Sequence, residues 1–124
     1  MNLNQVTVSV TDVARAIEFY SKLGLRLIVK SLPKYARFEC PEGQSTFSVH
    51  IAERVAPSQT VVYFECANLD DTVEKLKQLG ISFTSLPSDQ PWLWREAYLQ
   101  DPDGNKICLF FAGDNRLNPP WRVV

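Results

Sequence analysis

Histidine is almost missing from this chain: His50 is the single one among 124 residues. A site that needs two or more imidazoles from one chain is therefore excluded. Cysteine is sparse and odd in number, since Cys40, Cys66 and Cys108 stand alone without CxxC spacing. That pattern argues against a disulfide framework or a structural zinc site, and the compartment expected is a reducing cytoplasm. Neither charge is in excess, because 13 Lys and Arg face 14 Asp and Glu for a formal net charge of -1. A nucleic-acid or anionic-membrane surface would need a basic patch. The scattered Arg26, Lys30, Lys34 and Arg37 read instead as a solvated face. No apolar run approaches the roughly 18 residues of a membrane span. The opening MNLNQVTVSV has no basic region followed by a long apolar one, so no secretory signal is expected there. What is present, 45% hydrophobic and 22% charged residues, suits one globular domain over residues 1–124 with a real core.

The chain repeats itself. TDVARAIEFYSKLG reads as a helix that Thr11 or Asp12 caps, with Val13, Ala16, Ile17, Tyr20 and Leu23 at helical spacing. NLDDTVEKLKQLG reads as a second helix, capped by Asn68, with Asp70 and Asp71 in its first turn and Leu69, Val73, Leu76 and Leu79 as its apolar stripe. Gly24 and Gly80 supply the stops, offset by 56 (80 − 24), as are the openings of the preceding strands at Gln5 and Val61. Strands follow at Leu25–Val29 and Ile81–Thr84, then at Tyr35–Cys40 and Trp94–Leu99. The turns Pro41-Glu42-Gly43 and Pro102-Asp103-Gly104 come next, and closing strands at Thr46–Ala52 and Lys106–Ala112. The turn glycines are offset by 61 (104 − 43), so the second half carries about five extra residues, placed in the Pro-rich stretch Leu86–Pro91 as a loop. The expected architecture is α+β. Tandem βαβββ modules at about 3–54 and 60–112 form a curved mixed β-sheet with a concave cavity and helices outside, followed by a tail at 113–124.

Two segments carry a resemblance. VTVSVTDVARAIEFYSKLGLRL, with its D-x-x-x-A-x-x-F-Y helix and L-G-L turn, resembles the opening module of the glyoxalase/bleomycin-resistance/dioxygenase (vicinal oxygen chelate) superfamily. REAYLQDPDGNKICLF resembles its closing strand–DPDGN–strand segment. The resemblance implies a ligand site on the concave face and, in metal-dependent members, four ligands from the first and last strands of each half. It further implies frequent homodimers, and activities from isomerisation to ring cleavage and drug sequestration, so the fold does not settle the function.

Carried over residue by residue, the resemblance places Gln5 at one ligand position, Val61 at its counterpart, and Cys108 where relatives use glutamate. Strand parity leaves the fourth position to Ser48 or, after a shift of two residues, to His50. At most Gln5, His50 and Cys108 could hold a divalent metal. Such a set would suit zinc or copper and lacks the carboxylate base of glyoxalase-type proton transfer. No cofactor is expected.

Parity also brings Tyr63 and Glu65 to one face with Val61, Tyr35 to one with Arg37 and Glu39, and Trp94 to one with Glu96 and Tyr98. The ligand-binding set expected is Gln5, His50, Tyr63, Glu65, Trp94, Tyr98, Cys108 and Phe110, an aromatic lining for a flat organic molecule. Glu65 and Glu96 are the candidate bases, because a carboxylate desolvated against rings holds its proton more tightly. Three functions follow: a small-molecule binding protein without the full metal site, a metal-dependent lyase, isomerase or dioxygenase, and a structural or regulatory dimer with a vestigial cavity. Partners expected are a small molecule and a second copy, with neither nucleic acid nor membrane. Pro119-Pro120-Trp121 in the tail is expected to cross the cavity mouth or dock on that second copy.

Overall fold

The computed structural model describes residues 1–123, so Val124, the last residue of the expected tail, lies outside the described residues. The chain forms two compact units: residues 1–58 with Asp101–Asn105, and Gln59–Gln100 with the residues from 106 onward. The first carries β1 (Gln5–Val10), α1 (Val13–Lys22), β2 (Arg26–Ser31), β3 (Tyr35–Glu39) and β4 (Thr46–Ile51). The second carries β5 (Val61–Glu65), α2 (Leu69–Gln78), β6 (Ser85–Asp89), β7 (Arg95–Gln100) and β8 (Lys106–Phe111), then a 3-10 turn at Gly113–Asn115. The fold is α+β, as the repeat predicts. Its strands divide into two mixed four-stranded sheets, ordered β1-β4-β3-β2 and β5-β8-β7-β6. In each, the first and last strands of the module pair in parallel and the others pair antiparallel.

Local chemistry accounts for the elements. Asp12 is the α1 cap: its backbone is extended (φ -148) and its Oδ1 accepts the Arg15 N–H at 3.0 Å. Val13, Ala16 and Tyr20 are the buried stripe, and Gly24 (φ 102) ends the helix in a conformation that costs glycine nothing. Asn68 holds the cap position of α2 but, unlike the expectation, makes no side-chain cap bond. Its ψ of 66 lies well short of the extended value of a capping residue, and Asp70 and Asp71 complement the helix dipole instead. Leu69, Val73 and Leu76 are buried, whereas Leu79 has rotated past the stripe and is exposed.

One stretch was misplaced by the sequence pattern. Ile81–Thr84 is not a strand; the strand is β6, which begins at Ser85 and overlaps the Pro-rich segment Leu86–Pro91 expected to be a loop. As an edge strand it tolerates Pro87, which has no N–H to give, and its pairing with β7 shifts register between Ser85 and Ser88.

The core of the first unit packs α1 onto its sheet through Tyr20, whose ring lies 4.6 Å from Phe47 and 6.0 Å from Phe38. The Tyr20 hydroxyl is buried and donates to Asp101 Oδ2 at 2.7 Å. Asp101 also accepts the backbone N–H groups of Asp103 and Asn105, both at 2.9 Å, and Asn105 Nδ2 at 2.8 Å, so a single buried carboxylate organises the DPDGN turn. Asp103 in turn accepts from Thr11 N, Thr11 Oγ1 and Arg15.

Burial, and then the Asp101 charge, hold the Tyr20 phenol far above its ordinary pKa. Its stabilising effect is therefore complete below pH about 10 and is lost as pH rises beyond that. Tyr20→Phe is expected to lower the unfolding free energy by about 1–3 kcal/mol in denaturant titrations at neutral pH, because Asp101 loses a buried donor. A change under about 0.5 kcal/mol would show that the ring alone matters.

Candidate functional site

Away from α1, the first sheet carries a polar face built from alternate residues. β1 places Gln5, Thr7 and Ser9 there, paired with Thr46, Ser48 and His50 of β4, and β3 places Tyr35, Arg37 and Glu39 beside them. Ser48 is fully buried. Its Oγ accepts Gln5 Nε2 at 2.8 Å and lies 2.6 Å from the Tyr35 hydroxyl. Arg37 Nε donates to the same Tyr35 oxygen at 3.0 Å, and the Thr46 hydroxyl donates to Gln5 Oε1. His50 is exposed and its Nδ1 is hydrogen-bonded to the Ile51 carbonyl at 3.0 Å. Gln5 pairs with Thr46, four positions before His50, so about 13 Å of strand separates these two candidates. The structure does not bring them together.

The equivalent face of the second sheet is aromatic and acidic. Tyr63 pairs with Cys108 and Glu65 with Phe110 across β5–β8, while Tyr98 pairs with Cys108 and Glu96 with Phe110 across β7–β8. Trp94 stacks on Phe110 with centroids 4.6 Å apart and planes 17° from parallel. Tyr63 meets both edge-on, at 6.0 Å from Trp94 and 5.6 Å from Phe110. Beneath the rings Glu96 is buried, accepting Tyr98 OH on Oε1 and the Trp92 indole N–H on Oε2, each at 2.8 Å. Among the described residues no cation pairs with Glu96. Burial first, then the bond to Glu96, push the Tyr98 phenol far above its usual range. Burial and then the Glu96 charge push the Cys108 thiol up to about 12.

Six of the expected residues thus converge here: Tyr63, Trp94, Tyr98, Cys108 and Phe110 of the ligand-binding set, and the candidate base Glu96. Glu65, on the same strand, does something else. Its Oε2 accepts the N–H groups of Ala112 (2.8 Å) and Gly113 (3.0 Å), so it caps the 3-10 turn that begins the tail. Trp94 Nε1 holds the same turn through the Asn115 carbonyl at 3.4 Å. Trp92 was missed by the sequence reading. The signal available was the PWLW stretch, but its indole reaches Glu96 only because Leu93 adopts φ 68 in a tight turn closed by Gln90.

The registers also decide which residue of β4 is the counterpart of Cys108. Ser48 pairs with Thr7 as Cys108 pairs with Tyr63, so Ser48 is the equivalent of Cys108, and His50 that of Phe110. As arranged, Gln5 Oε1 is engaged by Thr46, Val61 has no donor atom, Ser48 lies in the Tyr35 network, and the Cys108 thiol keeps its proton. These positions offer a divalent ion no anionic oxygen or nitrogen donor set, and among the described residues no three His, Cys, Asp or Glu side chains cluster as ligands. A separate depression of about 310 Å³ at the start of α2, between Asp70, Arg95 and Phe111, is bridged by the ion pair of Arg95 with Asp70 at 3.1 Å.

Comparison with known proteins follows the same outline. The family model described as Glyoxalase/Bleomycin resistance protein/Dioxygenase superfamily matches residues 2–109. The chain is similar to a trivalent organoarsenical cleaving enzyme from Bacillus sp. (strain MD1), with 26% identity over 139 residues, covering 100% of this chain and 84% of that protein. Among solved structures, a glyoxalase/bleomycin resistance protein/dioxygenase from Nocardioides superposes with TM-score 0.79 at 24% identity, covering 100% of this chain and 90% of the other. Lactoylglutathione lyase from Agrobacterium tumefaciens superposes with TM-score 0.75 at 16% identity, over 94% of this chain and 96% of that one. Both likenesses concern the fold. Among the described residues no helix is long and apolar enough to cross a membrane.

A thiol with its pKa near 12 stays protonated at pH 8, and burial keeps reagents away from it. Iodoacetamide at pH 8 on the native protein, with the modified positions mapped by mass spectrometry, is expected to leave Cys108 intact until the fold is opened by denaturant. Rapid native labelling at Cys108 would show an accessible, reactive thiolate.

Proposed function

The chain belongs to the glyoxalase/bleomycin resistance protein/dioxygenase superfamily, and on that premise we propose that it binds a small aromatic organic molecule on the second-module face, without a divalent metal ion. The observation that carries this reading is the Tyr63–Trp94–Phe110 ring cluster set over a buried carboxylate, Glu96, with which no cation pairs among the described residues. Tyr63 and Trp92 are 46% and 45% exposed, so both offer ring surface to a planar ligand. Glu96 spends two of its acceptor sites on Trp92 and Tyr98 and keeps others for a ligand N–H. The pairing of flat apolar surface with one fixed acceptor favours an aromatic amine or N-heterocycle over a plain hydrocarbon.

A second reading is an enzyme, which the family resemblance would make a metal-dependent lyase, isomerase or dioxygenase; similarity to a protein named as a trivalent organoarsenical cleaving enzyme favours catalysis. Elemental analysis of protein purified without an affinity tag separates the two. Metal well below one equivalent is expected, and a stoichiometric metal lost in Gln5→Ala would overturn the metal-free reading.

Titration at neutral pH with planar heterocyclic amines such as 4-aminoquinoline and 9-aminoacridine, which are protonated and carry N–H groups, is expected to change tryptophan emission saturably. Tyr63→Ala should weaken binding about 2–10-fold through loss of one ring contact. Glu96→Gln should weaken the protonated heterocycles about tenfold or more, with little effect on naphthalene. A chain whose emission responds to no member of the series sinks the proposal.

A further inference from the structure

The polar face of the first module contains one hydrogen too many. Gln5 Nε2 donates to Ser48 Oγ, Arg37 Nε donates to the Tyr35 oxygen, and Ser48 and Tyr35 share one hydrogen bond at 2.6 Å. Two hydroxyl protons thus serve one bond, and one of them has no acceptor among the described residues. If Tyr35 donated to Ser48, the orphan proton would sit on Ser48, which is 0% exposed, at a cost of about 1–3 kcal/mol. If Ser48 donates, the orphan proton sits on Tyr35, which is only partly buried and can point outward. The second arrangement wins, and Tyr35 is left as an outward donor.

Arg37 is in the same condition. Its Nε is fixed on the Tyr35 oxygen and its Cζ lies 5.6 Å from the ring centroid, while the N–H groups of both Nη atoms have no acceptor among the described residues. The acidic residue that shares this face, Glu39, is paired with Arg26 at 2.7 Å. The other neighbours, Gln5, Thr7, Thr46 and His50, bring no negative charge.

We propose that Tyr35 and Arg37 form a subsite for an oxygen anion, a carboxylate or phosphoryl group, held by the phenol O–H and the free guanidinium edge. The buried Ser48 holds Tyr35 and the Tyr35 oxygen holds Arg37, so both donors are ordered before the ligand arrives, which reduces the entropy lost on binding. The bond from Ser48, with Arg37 adding to it, lowers the Tyr35 pKa, and a more acidic O–H is a better donor to an anionic oxygen. The subsite lies wholly in the first module, so it stands or falls independently of the aromatic ligand.

The test is titration of the ¹⁵N-labelled full chain with inorganic phosphate and, separately, with acetate, at constant ionic strength and neutral pH. Saturable shifts of the Arg37 Nε–H signal are expected, with a dissociation constant on the order of 1 mM for the better probe. Saturation by acetate alone marks a carboxylate site, and saturation by phosphate alone a phosphoryl site. Arg37→Gln should weaken binding about tenfold or more and Tyr35→Phe about fivefold. Lys30→Gln, on the opposite face beside Ala36, should leave it unchanged. Absence of a saturable shift with either probe overturns the proposal, and so does a Lys30→Gln effect equal to that of Arg37→Gln. If Tyr35→Phe fails to fold, Arg37→Gln decides alone.

Discussion

Much of this structure depends on where one buried carboxylate sits. Asp101 is 4% exposed and accepts four hydrogen bonds, from Tyr20, Asp103, Asn105 N and Asn105 Nδ2. A charge so placed is stable only while its donors are arranged around it, and those donors define the turn. The turn fixes the step from Gln100 to Lys106, and that step fixes every pair upstream, including Tyr98 with Cys108 and Glu96 with Phe110. A slip of one residue would send each of these side chains to the opposite face of the sheet. The ring cluster thus depends on a carboxylate that lies outside it.

The same topology, written twice, presents opposite chemistry. Gln5, Thr7 and Ser9 occupy in β1 the places held by Val61, Tyr63 and Glu65 in β5, and Ser48 and His50 those of Cys108 and Phe110. In the second module apolar rings exclude water, so ionisation is disfavoured and both Tyr98 and Cys108 hold their protons strongly. In the first, hydroxyls and a guanidinium surround Tyr35, donate to its oxygen, and favour losing the proton. Dielectric and hydrogen-bond direction, rather than residue type, separate these two tyrosines.

How much of this could be read from the chain follows from which signals are local. The 56-residue offset, the helix stops at Gly24 and Gly80 and the strand openings at Gln5 and Val61 were legible because each is a short-range pattern with a fixed period. The aromatic face was legible through strand parity alone. β6 was hidden because Pro87 marks a loop unless the strand is known to be an edge, which is a property of the sheet. Trp92 was hidden because its approach to Glu96 depends on a left-handed Leu93 that no sequence rule anticipates. Glu65 looked like a base on parity grounds, yet its partners, Ala112 N and Gly113 N, lie 47 and 48 residues away. Capping across that separation has no local signature.

Positions that the family resemblance associates with metal ligands are here bound into their surroundings. Gln5 spans Thr46 and Ser48, Ser48 supports Tyr35, and Val61 and Cys108 pack with Phe110, Ala112, Trp94 and Tyr98 in one small apolar cluster. A carboxylate at position 108 would lie within the field of Glu96, where two like charges in a dry setting oppose each other and one must stay protonated. A neutral thiol at 108 avoids that conflict with the buried Glu96. The thiol and the buried glutamate are therefore complementary, and together they leave the second module an apolar wall with a buried acceptor. Fold sets where such groups stand, and the local balance of burial and charge sets what they can do.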